Sequence, residues 1–115
     1  MHATKEEVKA FLKGFKEKMA IFEVIFLRSR GKNLMTFLEL EVSEITARKY
    51  LEELEVEDFY KGPTADNDNG SDLWEFGKTI KSREVYIKIT KGRLNKPVIC
   101  ISFHFPERTI TYPFK

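Results

Sequence analysis

Four side chains that suit chemistry at a phosphate ester lie on separate segments in the second half of this sequence. They are Lys61 in DFYKGP, Tyr86 and Lys88 in EVYIKI, and His104 in VICISFH. Histidine transfers protons near neutral pH, lysine neutralises charge on a phosphate, and a tyrosine hydroxyl donates a hydrogen bond or a proton. These groups meet the needs of RNA cleavage by its own 2′-hydroxyl, a reaction that requires no metal ion and no cofactor.

Alternation along two strand-like runs predicts which of these side chains share a surface. In one run Glu84, Tyr86 and Lys88 oppose Val85, Ile87 and Ile89, and in the other Cys100, Ser102 and His104 oppose Ile99, Ile101 and Phe103. Successive strand residues point to opposite faces, so apolar faces packed on helices would leave Tyr86, Lys88 and His104 on one exposed surface. Lys61, Trp74 and Glu75 would line its edge. The same alternation also fits an ordinary solvated sheet face.

The first half of the chain is predicted to be mostly helical. Thr4 and Glu7 form a capping box, followed by an amphipathic helix over Thr4–Lys18. Ile21–Leu27 favours a short strand, and Asn33 is expected to cap a second helix that runs to about Leu40. Ser43 is expected to cap a third helix, whose inward side chains would be Ile45, Tyr50, Leu51 and Leu54.

The second half is predicted to form strands around a polar loop. The loop runs from Gly62-Pro63 to Gly70-Ser71, and a tight turn is expected at Ser82-Arg83. The strand-like runs are Leu73–Lys81, Glu84–Thr90, Pro97–Phe105 and the weaker Thr109–Tyr112, with a basic hairpin loop at Lys91–Lys96. Helices followed by antiparallel strands favour an α+β domain, with N-terminal helices packed on a small curved antiparallel sheet.

Composition restricts the class of protein. The 115 residues are 42% apolar and 33% charged with a net charge of +2, which is typical of one globular domain spanning residues 1–115. No apolar run is long enough for a transmembrane helix, and the charged N-terminus is unlike a secretory signal. The single Cys100 suits a reducing compartment and is interpreted as a buried or half-buried strand residue rather than a nucleophile. The sequence therefore predicts a cytoplasmic protein.

Basic and aromatic side chains outside the four reactive positions are candidate RNA contacts. Two short basic loops provide positive charge for phosphates, and a tryptophan provides a stacking surface for a base. Trp74 also fits the role of a packing anchor. The candidate RNA-binding residues are Arg28, Arg30, Lys32, Trp74, Arg93 and Lys96.

Three segments of the sequence resemble the MqsR family of toxins from type II toxin–antitoxin systems. They are Asp58-Phe59-Tyr60-Lys61 with Trp74 after the polar loop, then Val85-Tyr86-Ile87-Lys88-Ile89, then Ile101-Ser102-Phe103. The preceding helices fit in order and approximate length, and the motifs are specific in the second half of the chain. The GP after Lys61, the FGKTIK segment and the tail Tyr112-Pro113-Phe114 indicate a divergent member.

The resemblance implies a RelE-like fold and a metal-independent mRNA endonuclease activity. The family's catalytic positions fall on Lys61, Tyr86 and His104, the last of which is a lysine in the better-known members. The position after the tryptophan is glutamine there and Glu75 here. The resemblance also implies a cognate antitoxin with a zinc-binding part and a helix-turn-helix part, neither of which this chain carries.

Three functional hypotheses follow from the sequence. In the first, an endoribonuclease toxin forms a 2′,3′-cyclic phosphate: Lys61 and Lys88 hold the phosphate, Tyr86 and His104 share the acid and base roles, and Glu75 assists. In the second, the same basic face binds RNA or a protein without catalysis. In the third, a small-molecule enzyme has its pocket under the loop Gly62–Asp72. Base preference in single-stranded RNA depends on pocket edges and stacking geometry, so no motif in the sequence predicts it, and none predicts ribosome dependence.

Overall fold

A computed structural model describes residues 3–27 and 30–115. The helices are α1 (Lys5–Ile21), α2 (Gly31–Leu40) and α3 (Glu44–Glu52), followed by a short 3-10 helix at Val56–Asp58. The strands are β1 (Val24–Phe26), β2 (Phe59–Thr64), β3 (Leu73–Ile80), β4 (Arg83–Thr90) and β5 (Val98–His104). The predicted α+β class, with helices packed on a sheet, is confirmed.

Helix α1 begins at a capping box and buries one apolar face. The Thr4 side chain accepts from the Glu7 N–H and the Glu7 carboxylate accepts from the Thr4 N–H, so the predicted capping box is present. Its apolar stripe, which includes Phe11, Phe15 and Met19, is buried in the central core. The helix ends at Ile21, three residues beyond the predicted Lys18, and the predicted strand shortens to Val24–Phe26.

The other two helices differ from prediction at the first turn of α2 and on the inner face of α3. Arg30 rather than Asn33 is the N-cap of α2, and Asn33 is a buried residue inside the helix. Ser43 caps α3 as predicted, by accepting from the Thr46 N–H. Ile45 was predicted to face inward but is 75% exposed, because Ala47 and Leu51 occupy the inner face of α3.

The sheet has five strands in the order β1-β5-β4-β3-β2. Four strands pair antiparallel, as predicted, but β1 runs parallel to β5, so the sheet is mixed rather than wholly antiparallel. The parallel pairing is possible because the chain between β1 and β5 includes two helices and three strands, more than the crossover that parallel strands require. Buried side chains of β3, β4 and β5 pack against α1 and α3 in one core.

Three of the four strands predicted after the loop are present with their ends shifted by at most one residue, and three other features of the second half differ from prediction. Strand β2 extends to Thr64, so Gly62 and Pro63 belong to the sheet rather than to the polar loop. The β3–β4 turn lies at Lys81-Ser82, one residue earlier than predicted, with φ values of 51° and 69° that are typical of a type I′ hairpin turn. Thr109–Tyr112, the weakest strand prediction, is not a strand.

A bulge in β5 changes the alternation of its side chains. Lys88 pairs with Ser102 and Ile89 pairs with Cys100, so Ile101 is an extra residue on β5. Ser102 and His104 therefore lie on the face of Lys88 and Tyr86, as predicted. Cys100 lies on the core face with Ile89, which makes its predicted place beside Ser102 and His104 wrong.

The C-terminal segment after β5 crosses the sheet at Gly77. A Cβ atom on Gly77 would lie 2.2 Å from the Tyr112 hydroxyl and 2.9 Å from Ile110 Cδ1. Tyr112 donates to Glu84 at 2.7 Å, and the Phe114 ring stacks on Phe59. The absence of a side chain at position 77 is therefore what lets the tail pack onto β3.

Gly77→Ala is expected to lower the free energy of unfolding by about 1–3 kcal/mol, the usual range for overpacking a filled site. The added methyl must displace Tyr112 or Ile110. Urea denaturation measures the loss. Gly31→Ala is the matched control, since nothing lies within 4 Å of a Cβ there and it should be neutral or stabilising. Equal stability of Gly77→Ala and wild type would contradict this account of the tail.

Candidate active site

The sheet register brings the predicted reactive side chains together in two adjacent rows. Lys61 pairs with Glu75, Glu75 with Lys88 and Lys88 with Ser102, so four neighbouring strands contribute one row. Gly77 pairs with Tyr86 and Tyr86 with His104 in the second row. Cross-strand partners point to the same face with Cβ atoms about 4.5–5.5 Å apart. The predicted common surface of Tyr86, Lys88 and His104 is therefore present, with Lys61 and Glu75 on it.

These two rows form the floor of a cleft with a volume of about 550 Å³. The start of α2 forms one wall and the segment after β5 forms another, and the Lys32–Glu107 ion pair joins the two walls. The lining residues that carry polar or charged groups are Arg30, Lys32, Asn33, Tyr60, Lys61, Glu75, Tyr86, Lys88, Ser102, His104, Glu107 and Arg108. Five Lys and Arg side chains thus face two carboxylates, which makes the cleft positive.

Glu75 and Tyr86 are joined by a short hydrogen bond in the centre of the cleft. The Tyr86 hydroxyl donates to Glu75 Oε1 at 2.5 Å, and Glu75 is only 8% exposed. Burial, followed by the hydrogen bond and the negative charge of Glu75, raises the pKa of Tyr86 well above its usual range. Tyr86 is therefore a neutral phenol that holds the Glu75 carboxylate in place.

His104 is oriented by the backbone of its neighbour. Its Nδ1 lies 2.9 Å from the Phe105 carbonyl oxygen. Because a carbonyl oxygen only accepts, Nδ1–H must donate, which leaves Nε2 as the atom available for proton transfer. The ring centroid lies 5.2 Å from that of Tyr86, so the imidazole is adjacent to the Tyr86–Glu75 pair.

Lys61 and Lys88, the two lysines of the first row, form no ion pair with a described residue. Lys61 Nζ lies 5.0 Å from the centroid of the Tyr60 ring, and Lys88 is half-buried in the cleft. Within residues 3–27 and 30–115, neither ammonium group has an ion-pair or hydrogen-bond partner. They flank Glu75 on both sides in the row, so the cleft offers a phosphate two uncommitted cations.

The predicted RNA-binding residues divide between the cleft and other surfaces. Arg30 and Lys32 line the cleft, whereas Arg28 lies outside the described residues. Trp74 lies on the opposite face of β3 from Glu75, where its ring stacks on Phe11 with centroids 4.4 Å apart, as expected of a packing anchor.

Arg93 and Lys96 lie in the β4–β5 loop and do not line the cleft. Arg93 Nη2 donates to the Asp68 carbonyl at 2.6 Å, so its guanidinium fastens this loop to the polar loop before β3. The structure thus separates Trp74, Arg93 and Lys96 from the residues that surround Glu75.

Sequence reasoning missed several cleft residues because their signals are not local. Asn33 resembles a helix cap in sequence, but its Nδ2 donates to the Leu27 and Ile101 carbonyls and its Oδ1 accepts from the Phe103 N–H. Glu107 and Arg108 follow β5 in a segment without regular structure. Tyr60 stands beside Lys61 in the DFYK motif, which is the one signal that would have identified it.

A second, more open hollow of about 580 Å³ lies near the end of the polar loop. Phe11, Trp74 and Lys91 line it, and of the loop Gly62–Asp72 in the small-molecule hypothesis only Ser71 and Asp72 reach it. Its lining holds no cluster of proton-transfer groups comparable to the Glu75–Tyr86–His104 set.

Cys100 is buried in the core, and burial raises the pKa of its thiol far above the usual range.

Comparisons with known proteins identify no relative of this chain. No protein-family model, no curated protein and no solved structure matches the chain. The resemblance to MqsR toxins therefore remains a prediction from the sequence motifs. Among the described residues there is no group of three or more His, Cys, Asp or Glu side chains placed to hold a metal ion. No helix in the described ranges is long and apolar enough to cross a membrane.

Proposed function

We propose that the protein is the toxin of a type II toxin–antitoxin system and acts as a metal-independent mRNA endoribonuclease in the cytoplasm. The observation that carries the proposal is the convergence of Lys61, Glu75, Tyr86, Lys88 and His104 in one positive cleft. These are the positions that correspond to the MqsR motifs, with Lys88 added from the same strand. A cleft with paired proton-transfer groups and unpaired cations suits a phosphodiester better than an uncharged substrate.

Binding of the scissile phosphate falls to Lys61 and Lys88. The row order places them on either side of Glu75, and no described carboxylate forms an ion pair with them. The pentavalent phosphate carries more negative charge than the ground state, so cations that are fixed beforehand stabilise the transition state. They also offset the repulsion between Glu75 and the phosphate.

Proton transfer falls to Glu75 and His104. One Glu75 oxygen accepts from Tyr86, which leaves the carboxylate oriented to take the proton of the 2′-hydroxyl. Protonated His104, held through Nδ1 by the Phe105 carbonyl, presents Nε2–H to the departing 5′-oxygen. The oxygen–phosphorus bond to the 2′-oxygen forms as the bond to the 5′-oxygen breaks, and the product is a 2′,3′-cyclic phosphate.

This assignment gives Tyr86 a different role from the one that the sequence suggested. The sequence hypothesis shared the acid and base roles between Tyr86 and His104, with Glu75 as an assistant. Tyr86 donates its proton to Glu75 and has a raised pKa, so it is suited to positioning the carboxylate rather than to giving up a proton at neutral pH. Glu75, which stands where the MqsR family has glutamine, then acts as the base.

The test is RNA cleavage by the purified protein in excess chelator. Wild type should produce fragments ending in a 2′,3′-cyclic phosphate, and Lys88→Ala should cleave about 10–100-fold more slowly because a transition-state cation is lost. Lys49→Ala, which removes the same charge from the exposed face of α3, should cleave at the wild-type rate. Salt-sensitive RNA binding without new RNA ends would replace this proposal with the non-catalytic binding module.

A cognate antitoxin is part of the same proposal. By the MqsR resemblance, the partner carries the zinc-binding and helix-turn-helix parts and neutralises the toxin. Expression of this chain alone should arrest growth, and co-expression of a neighbouring gene that encodes paired Cys-x-x-Cys motifs should restore it. Normal growth on expression of an active, soluble protein would count against the toxin role.

A further inference from the structure

We propose a second phosphate-binding subsite at the first turn of α2, which holds the phosphate next to the scissile one in a nucleic-acid chain. It comprises the backbone N–H groups of Gly31, Lys32 and Asn33, the Arg30 guanidinium and the Ser102 hydroxyl, and is called the α2 subsite below. The inference deepens the proposed function, on which its place beside a scissile phosphate rests.

The backbone N–H groups at the start of α2 can bind an anion. The first N–H groups of a helix have no partner within the helix and carry its positive dipole end. Arg30 at the N-cap provides no capping side chain, and the first turn contains no acidic residue. Among the described residues no side chain caps these N–H groups, and Arg30, Gly31, Lys32 and Asn33 all line the cleft. Phosphates bind at such helix ends.

Ser102 provides a second, independent observation at this end of the cleft. The residue is only 4% exposed and lines the cleft, yet its hydroxyl has no hydrogen-bond partner in residues 3–27 and 30–115. Among the described residues no fully buried side-chain polar atom lacks a partner, so this hydroxyl opens onto the solvent of the cleft and is able to donate there. A phosphate oxygen in the cleft would accept the hydrogen bond that this hydroxyl is placed to donate.

Asn33 fixes the two parts of the subsite relative to each other. Its side chain donates to the Ile101 carbonyl and accepts from the Phe103 N–H, so the first turn of α2 is attached to β5 on both sides of Ser102. Ser102 in turn pairs with Lys88 of the proposed catalytic row. The α2 subsite is therefore the direct continuation of that row, as consecutive phosphates of one strand require.

The charges around the α2 subsite favour an anion. Within the described ranges, the exposed Arg30 guanidinium has no ion-pair partner, and Arg108 lines the same cleft. Lys32 pairs with Glu107, so a phosphate at the subsite competes with that exposed carboxylate for the ammonium group. Salt is accordingly expected to weaken phosphate binding.

The experiment measures binding with probes that cannot be cleaved. Amide NMR spectra are recorded with inorganic phosphate, then with a 2′-deoxy dinucleotide that carries one phosphate, and then with its 5′- and 3′-phosphorylated forms. Saturable shifts of the Gly31 and Lys32 amides are expected with inorganic phosphate. One of the two phosphorylated forms should bind about tenfold more tightly than the dinucleotide, as for one added charge-assisted contact.

Two variants assign that gain to the α2 subsite. Arg30→Gln should abolish most of the tenfold gain, and Ser102→Ala should reduce it about threefold while leaving the thermal midpoint unchanged or higher, since it removes an unpaired hydroxyl. Lys49→Gln loses the same charge on α3 and should retain the full gain. Unmoved α2 amides, or an Arg30→Gln protein that retains the gain, would overturn the subsite.

The outcome is separable from that of the proposed function. If RNA is not cleaved but the second phosphate binds at α2, the α2 subsite stands as part of a nucleic-acid-binding cleft and the nuclease proposal fails. If RNA is cleaved but the deoxy probes never move the α2 amides, the nuclease proposal stands and the α2 subsite is wrong.

Discussion

RNA cleavage by His104→Ala is expected to fall by about 100- to 10,000-fold, the usual contribution of a general acid or base. The imidazole is the acid of the proposed scheme, and its Nε2 is the nitrogen that the Phe105 carbonyl leaves available. Single-turnover cleavage of a labelled RNA measures the loss. His104→Gln should be comparably inactive, because an amide can donate a hydrogen bond but cannot transfer a proton at neutral pH.

Glu75→Gln tests the other proposed proton-transfer group. Its cleavage rate should fall by about 100- to 10,000-fold, because an amide oxygen cannot take the proton of the 2′-hydroxyl. Single-turnover cleavage should therefore be slow in both Glu75→Gln and His104→Gln. If His104→Ala folds normally and keeps more than a tenth of wild-type activity, the assignment of the acid is wrong.

Asn33→Ala is expected to lower the free energy of unfolding by about 2–4 kcal/mol, because it leaves buried backbone groups unpaired. The amide side chain satisfies the carbonyls of Leu27 and Ile101 at 2.9 Å each and the Phe103 N–H at 3.0 Å. Asn33 is only 3% exposed, so water cannot replace these bonds without opening the structure. The better helix propensity of alanine offsets well under about 1 kcal/mol.

Urea denaturation of Asn33→Ala tests this value, and Asn67→Ala on the exposed polar loop is the matched control, expected to change stability by less than about 0.5 kcal/mol. Hydrogen exchange should show faster exchange of the Phe103 amide in Asn33→Ala than in wild type. Wild-type stability together with wild-type exchange at Phe103 would show that Asn33 does not hold α2 to β5.

Local sequence signals predicted the elements of this fold well and its connections less well. Thr4 with Glu7 and Ser43 identified two helix starts, since capping depends on residues within one turn. Asn33 has the same local signal, but its side chain bonds with Ile101 and Phe103 of β5. These residues lie 68 and 70 positions later in the chain. Likewise β1 pairs parallel with β5, a long-range contact that no short pattern encodes.

The candidate site was predictable where strand alternation is regular. Tyr86 and Lys88 follow the period of two along β4, and Glu75 follows from the pairing of β3 with β4. The cleft walls at the start of α2 and after β5 depend on tertiary packing, so Arg108, Glu107 and Tyr60 were not found. Trp74 was ambiguous because an aromatic ring suits a base and a core equally, and packing against Phe11 decided between them.

The extra residue at Ile101 divides β5 into two parts with opposite phases. Before it, Val98 and Cys100 face the core, and after it Ser102 and His104 face the cleft. Deleting Ile101 would remove the bulge and leave regular pairing, with Ser102 and His104 still on the cleft face. Deleting or inserting one residue between Ser102 and His104 would instead turn His104 toward the core, and the imidazole would leave the cleft. Under the proposed scheme, cleavage should therefore tolerate loss of the bulge residue better than a change of length beyond it.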